Sequence, residues 1–369
     1  MKFTAVKNDV LNAVKNVGGI VGKGVITVLA NILFKTDKER NSVTVEGTNI
    51  ELRLECSFEA KIEEDGITTI PGRKLISVLS AMTGSDVVFD TNDLHHTTIK
   101  SGKAKVKLNG MNSDEFPILE EFTAKCMLSL SMEQMQSLVK DGTYYVSADN
   151  TRKVLCGIFA EFEKDQCHFV STNGKALAHA GCTLTSKVIA EDKSFCIIPA
   201  AALNLLISNS KANSVSIGFS DKKIALFAGD FAVYAKLIEG NYPNYKNFTG
   251  MKYSNAAVLP VAETIAKLSL LNAVVSQDNP SVDITISGNN IKLSSESASS
   301  GSVDDEMELF EGTDKEYTFS LNPALMMAAF AAHKQEEKVT LNFNDETSPV
   351  EFKFKNSIAV IMPIRKKQA

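Results

Sequence analysis

IPGRKLISVLSAM (residues 70–82), IPAAALNLLI (198–207) and NPALMMAAFAA (322–332) decide the fold. Each opens an apolar, helix-like run with a proline, and Pro71, Pro199 and Pro323 stand 128 and 124 residues apart. A second landmark keeps the same period. EFPIL (115–119), NYPNY (241–245) and IMPIR (361–365) place Pro117, Pro243 and Pro363 after strand-like runs, 126 and 120 residues apart. Six of the nine prolines therefore fall on one grid. Self-similarity at a long fixed period means one structural unit written several times, here three times in 369 residues.

The rest of each copy agrees. Residues 1–17, 127–142 and 251–268 each read as a short strand followed by an amphipathic helix. Val10, Val14 and Val17 are spaced to share one helix face. Asn322-Pro323 reads as a helix cap followed by the first helical residue. SVTVEGTNIELRLEC (42–56), CHFVSTNGKALAHAG (167–181) and SVDITISGNNIKLSS (281–295) alternate around central Asn and Gly, which predicts three hairpins. A further strand cluster follows the second helix at 86–102, 214–230 and 338–354. Strand, helix and three strands, done twice per copy, make an α+β fold. The domains predicted are 1–122, 127–248 and 252–369.

Several classes are excluded or disfavoured. No apolar stretch reaches the ~18 residues of a membrane span, and the N-terminus lacks a signal-type apolar region. The six cysteines (Cys56, Cys126, Cys156, Cys167, Cys182, Cys196) form no CxxC pair and read as reduced thiols of an intracellular protein. GGIVGKG (18–24) lacks phosphate-loop spacing. Ser137 to Lys140 with Ser147 to Asn150 only faintly follows serine acyl-enzyme spacing and has no Lys-Thr-Gly after it. His95-His96 has no second ligand cluster, so neither metal nor cofactor is expected. Net charge is −5, but Lys7, Lys15, Arg73, Lys74, Lys140, Arg152, Lys153, Lys211, Lys267 and Lys334 gather on the predicted helices and their flanks. Helices sharing one side would present a basic face over acidic strands.

The triple repeat, the opening MKF, EFPIL, STNGKALA (171–178), EGNYPNY (239–245) and SIAVIMPIR (357–365) together resemble the bacterial DNA sliding clamps, the β subunits of replicative polymerase III. The resemblance runs the full length in order. It implies three clamp domains, each with two helices packed on antiparallel sheets. Two chains would close head to tail into a ring, helices lining the channel. It implies a cytoplasmic, non-enzymatic processivity factor that encircles duplex DNA without reading sequence. The ring would tether DNA polymerase III and other proteins bearing clamp-binding motifs, and a clamp loader would open it. An alternative is a monomeric clamp-fold peptide-binding or regulatory protein that encircles nothing; an enzyme on repeated α+β domains is a third.

Carried onto this sequence, the family's peptide groove implies Leu155, Thr172, Gly174, Lys175, Leu177, Pro243, Asn247, Phe248, Val360, Ile361, Met362, Pro363, Ile364 and Arg365. Lys175-Ala176 stands where the family commonly has His-Arg, and Asn247 where Arg is common. Lys23, Arg73, Lys140, Arg152 and Lys153 are expected to face DNA. Lys74, Lys103, Lys105 and Lys107 are expected to meet Leu270, Leu271, Asp304, Asp305 and Glu306 of a second copy, with the leucines as the apolar centre.

Overall fold

A computed structural model describes residues 1–369 apart from 23–26, 118–121, 125, 164, 185, 189–192, 276–279, 298–300 and 366–369. A related succession of elements occurs three times, with two long strands in place of five between the helices of the third. The first is β1 (Lys2–Val6), α1 (Lys7–Gly18), β2 (Asn31–Asp37), β3 (Ser42–Thr48), β4 (Leu52–Glu59), β5 (Lys61–Glu64), β6 (Ile67–Pro71), α2 (Gly72–Ala81), β7 (Asp86–Thr91), β8 (His96–Ser101) and β9 (Ala104–Asn109). The second is β10 (Cys126–Ser131), α3 (Met132–Gly142), β11 (Gly157–Glu163), β12 (Gln166–Thr172), β13 (Ala176–Thr183), β14 (Ser186–Val188), β15 (Lys193–Pro199), α4 (Ala200–Asn209), β16 (Ser214–Phe219), β17 (Lys223–Ala228) and β18 (Phe231–Lys236), closed by the short α5 (Lys246–Thr249). The third is β19 (Asn255–Pro260), α6 (Val261–Val274), β20 (Val282–Ser297), β21 (Gly301–Leu321), α7 (Pro323–Ala332), β22 (Lys338–Phe343), β23 (Val350–Lys353) and β24 (Ser357–Ile361).

The prolines act where helices begin, because a missing N–H costs nothing among donors that have no helical partner. Pro71 and Pro260 end strands and cap the helices that follow. Pro323 is the first residue of α7, and the Asn322 side chain accepts from the N–H groups of Ala324 and Leu325. Val10, Val14 and Val17 are buried together with Ala13, as their spacing predicts.

Two compact units form. The first comprises Met1–Met132, Thr185–Ala190 and Ala201–Leu237. It holds a five-stranded sheet, β5-β1-β7-β8-β9, and a nine-stranded sheet, β14-β10-β16-β17-β18-β4-β3-β2-β6. Phe3 stacks on Phe89 at 4.8 Å, and Phe34 lies 5.8 Å from Phe89, filling part of its core. The second unit comprises Glu133–Leu184, Glu191–Ala200 and Ile238–Ala369. Its ten-stranded sheet runs β15-β11-β12-β13-β24-β23-β22-β19-β21-β20. Alternating burial along strands such as β3 and β4 sends every second side chain into the core. The pairs β4–β18 and β13–β24 join one repeat to the next inside each unit.

One predicted hairpin is not a hairpin. Residues 281–295 were expected to fold back at Gly288-Asn289-Asn290, as the first two copies do at their Asn–Gly centres. Instead β20 runs through, paired along its length with β21, and its register shifts on either side of Gly288, where φ is +58°. A bulge absorbs the same turn residues when a partner strand continues past them. Among the described residues, no helix is long and apolar enough to cross a membrane, and no cluster of His, Cys, Asp or Glu could hold a metal ion. Cys56, Cys167 and Cys196 are buried, while Cys156 and Cys182 are partly exposed.

Candidate functional site

The turn between β12 and β13 starts the site. The Thr172 hydroxyl donates to the Ala176 carbonyl at 2.6 Å and accepts from the Gly174 N–H at 3.1 Å. The Asn173 carboxamide oxygen accepts from the N–H groups of Lys175 and Ala176. This locks a tight turn with Gly174 at φ +87°, a conformation that disfavours any Cβ. β24 then pairs with β13, with Leu177 opposite Val360 and Ala176 opposite Ile361. The segment around α5 closes the third side.

A cavity of about 250 Å³ opens among Thr172, Gly174, Lys175, Ala176, Leu177, Pro243, Tyr245, Phe248, Val360 and Met362. Its floor is apolar: Val170, Leu177, Tyr245 and Val360 pack together with Phe159, Tyr242, Phe248 and Ile358. Tyr242 stacks on Phe159 at 5.0 Å, and its hydroxyl donates to the Val170 carbonyl at 3.3 Å. Tyr245 donates to the buried carboxylate of Glu161, which Lys246 also pairs at 3.0 Å. Burial and that carboxylate push the Tyr245 phenol well above its ordinary range. Behind it, the His179 ring lies 5.6 Å from the Tyr245 ring, and His179 Nε2 is 3.2 Å from His168 Nδ1. Burial, with help from His168, lowers the His179 pKa to about 4. The cavity thus offers apolar walls, one lysine and no acid–base pair aimed inward; it suits apolar side chains of a short peptide.

Eight of the residues expected at the groove line the cavity: Thr172, Gly174, Lys175, Leu177, Pro243, Phe248, Val360 and Met362. The others stand apart. Ile361 alternates to the opposite face of β24 and is fully buried in the main core of its unit. Leu155 is buried in the turn before β11, and Asn247 is exposed, accepting from the Asn244 amide. Pro363 and Ile364 follow the strand, with the Ile364 N–H held by the Ser320 carbonyl, and Arg365 is exposed. The sequence reading missed Tyr245 and Ala176. Tyr245 was legible, since it lies three residues before Phe248 and one helical turn puts the two on one side.

Arg152 is no free cation on a helix face. Its guanidinium binds Asp149 at 3.1 Å and the Asn173 carbonyl at 3.1 Å, and it fills the space beside Gly174. Arg73, Lys140 and Lys153 are exposed, and Lys23 lies outside the described residues. Of the residues expected to meet a second copy, Lys103, Lys105 and Lys107 are exposed on or beside β9, an edge strand. Lys74 is exposed on α2. Leu271 is not on the surface: it is fully buried in its own core, whereas its neighbour Leu270 is 50% exposed. A helix turns 100° per residue, so adjacent leucines cannot share a face. Asp304 pairs with Lys292 and Asp305 with Lys267, both inside the chain, while Glu306 is exposed.

These features meet in one class, a repeat-built α+β scaffold with a peptide-sized groove. Residues 1–120 match the family model for the DNA polymerase III beta subunit N-terminal domain, and 129–244 that for its central domain. The beta sliding clamp of Chlamydia muridarum is 26% identical over 372 residues, covering 99% of each chain. The DNA polymerase sliding clamp of Bacillus subtilis superposes with a TM-score of 0.92 over all of both chains at 20% identity. The beta subunit from DNA polymerase of Streptococcus pyogenes gives 0.93 over 99% of this chain and 100% of its own, at 19% identity. The chain belongs to the bacterial DNA polymerase III β subunit family, the β sliding clamps.

Proposed function

We propose that this protein is a DNA sliding clamp: a ring of two chains that encircles duplex DNA and tethers a replicative polymerase and other proteins through short peptides. The observation that carries the reading is the groove between the β12–β13 turn, Tyr245–Phe248 and β24, present in a chain that matches sliding clamps from end to end. A tether needs no reacting groups. It needs a topological link to DNA and an apolar slot for partners, and phosphate contacts that carry no sequence information let it slide.

Each chain would contribute three domains, 1–122, 127–248 and 252–369, and act in the bacterial cytoplasm. Arg73, Lys140 and Lys153 would meet the phosphate backbone. A head-to-tail contact that closes makes a ring. The edge strands β9 and β20 are suited to that contact, since pairing would remove two exposed edges. Lys103, Lys105 and Lys107 would face Glu306 and Leu270 there. Retention on nicked circular duplex after loading, with rapid loss once the circle is linearised, tests the reading. Equal retention on both would sink it, as would a monomeric mass at micromolar concentration.

A further inference from the structure

Cys167 and Cys182 stand directly opposite each other on β12 and β13. Residues so paired in an antiparallel ladder have Cα atoms about 4.5–5.5 Å apart and side chains on one face. That spacing lies within the ~4.4–6.8 Å that a disulfide spans, so the two sulfurs can join without a shift in register. They already meet: the Cys167 thiol is hydrogen-bonded to the Cys182 sulfur. Cys196 is placed differently. β11 lies between its strand, β15, and β12, which puts it two strand spacings, roughly 10 Å, from β12 and out of disulfide reach.

The pair occupies the last buried row before the open end of the hairpin. The next row, Gln166 opposite Thr183, reaches the surface, where the Gln166 amide donates to the Thr183 hydroxyl at 3.2 Å. On the core side, Phe162 of β11 lies opposite Cys167, and Phe169 and Ala180 form the preceding row; all three are buried. Cys167 is therefore fully enclosed, while Cys182 is partly exposed. Burial holds the Cys167 thiol protonated, well above the ordinary thiol range. The hydrogen bond from Cys167 lowers the pKa of Cys182, which favours the thiolate at the sulfur that solvent can reach. Cys156, also partly exposed, precedes β11, and its thiol is directed at the Asp149 carbonyl at 3.3 Å rather than at a second sulfur.

We propose that Cys182 and Cys167 form a reversible oxidation site for small hydroperoxides, with Cys182 as the attacking sulfur and Cys167 as the resolving one. The Cys182 thiolate attacks the terminal peroxide oxygen. The O–O bond breaks, Cys182 becomes a sulfenic acid, and the departing alkoxide or hydroxide takes a proton from solvent. The Cys167 sulfur then attacks the Cys182 sulfur. The S–O bond breaks, hydroxide leaves with the Cys167 proton as water, and the S–S bond closes. Two thiols together lose two electrons, and one peroxide is reduced. A thiol reductant reopens the bond, so in a reducing compartment it is transient. Because the resolving thiol lies in the same row, the sulfenic acid is consumed before it reaches the irreversible sulfinic stage. The site does not depend on the peptide groove, since β13 carries Cys182 near one end and Leu177 near the other.

Disulfide mapping of the full-length protein tests it. The folded protein is treated with hydrogen peroxide, the peroxide is removed with catalase, and remaining thiols are blocked with iodoacetamide in urea before digestion with trypsin. Trypsin cuts at Lys175, so peptides 165–175 and 176–187 should appear joined, and dithiothreitol should release them. The separate, alkylated forms of both peptides should be lost together. Cys167→Ala should stop at the sulfenic acid, giving a dimedone adduct on Cys182 that the parent lacks. Cys182→Ala should leave Cys167 unoxidised. Absence of the joined peptides from the parent, or their formation only when urea is present during oxidation, would overturn the proposal. Oxidation of Cys156 ahead of Cys182 would overturn it too.

Discussion

The backbone N–H of Met362 donates to the carbonyl of Lys175 at 2.9 Å, carrying the β13–β24 ladder one residue beyond the strand. Backbone bonding thus fixes where Met362 sits, while its side chain, 41% exposed, stays free to repack. Met362→Ala should therefore leave stability within about 0.5 kcal/mol yet weaken binding of an apolar clamp-binding peptide. Leu177→Ala, at a buried position, should lower stability by about 2–5 kcal/mol as well. Urea unfolding alongside peptide titration separates the two. Unaltered peptide affinity in Met362→Ala would place the groove elsewhere.

Leu270 and Leu271 should part company. Leu271→Ala should cost about 2–5 kcal/mol of folding stability by opening a cavity in the α6 core. Leu270→Ala should fold normally and raise the dimer dissociation constant. Sedimentation of both variants at low concentration, with melting curves, decides. A folded monomer from Leu271→Ala alone would return that residue to the interface.

Tyr245 holds a buried carboxylate in place. Tyr245→Phe removes the hydroxyl that donates to Glu161, which should cost about 1–3 kcal/mol. Denaturant midpoints at neutral pH check this. An unchanged midpoint would mean that water replaces the hydroxyl without loss.

Acid should loosen the groove's support. The folded-state pKa of His179, about 4, lies below its ordinary value of 6.5, so the unfolded chain takes the proton first. Stability from this site is complete above about 6.5 and falls as pH drops toward 4. His168 moves the same way, while Glu161 opposes the shift. His179→Gln should flatten the decline in urea midpoint between pH 7 and 5. A variant that loses stability as steeply as the parent would assign the decline to other groups.

Two turns should respond oppositely. Gly174→Ala places a Cβ 2.8 Å from the Arg152 guanidinium at φ +87°, at a cost of about 1–3 kcal/mol. Ile50, in the β3–β4 turn, holds φ +80° with a branched side chain that is 48% exposed. Ile50→Gly relieves that strain and should gain about 1 kcal/mol. Thermal melts of both variants are sufficient, and a loss in Ile50→Gly would show that the side chain packs more tightly than its exposure indicates.

The repeat was legible because prolines mark strand-to-helix junctions, where their lost donor is harmless. The groove was legible through STNGKALA and NYPNYKNF, whose turn and aromatic residues must come together. The hairpin at Gly288 was misread because a glycine flanked by asparagines suits a bulge as well as a turn, and the choice depends on a partner strand far along the chain. Leu271 and Ile361 were misplaced for one reason. Naming a contiguous run as a surface ignores that adjacent residues on a helix or strand point apart. The bonds of Arg152 to Asp149 and to the Asn173 carbonyl depend on loop geometry that no local pattern encodes.

The middle repeat gives β10, β14, β16, β17 and β18 to one sheet and β11, β12, β13 and β15 to another. Cut out along the boundaries its sequence suggests, it would bare β18 and β13, two strands that are interior in the whole chain. Both are apolar and ready to pair with anything extended. A gene fragment for residues 127–248 should then yield inclusion bodies rather than a small folded protein. Its repeats are separable on paper, but the material they form is woven.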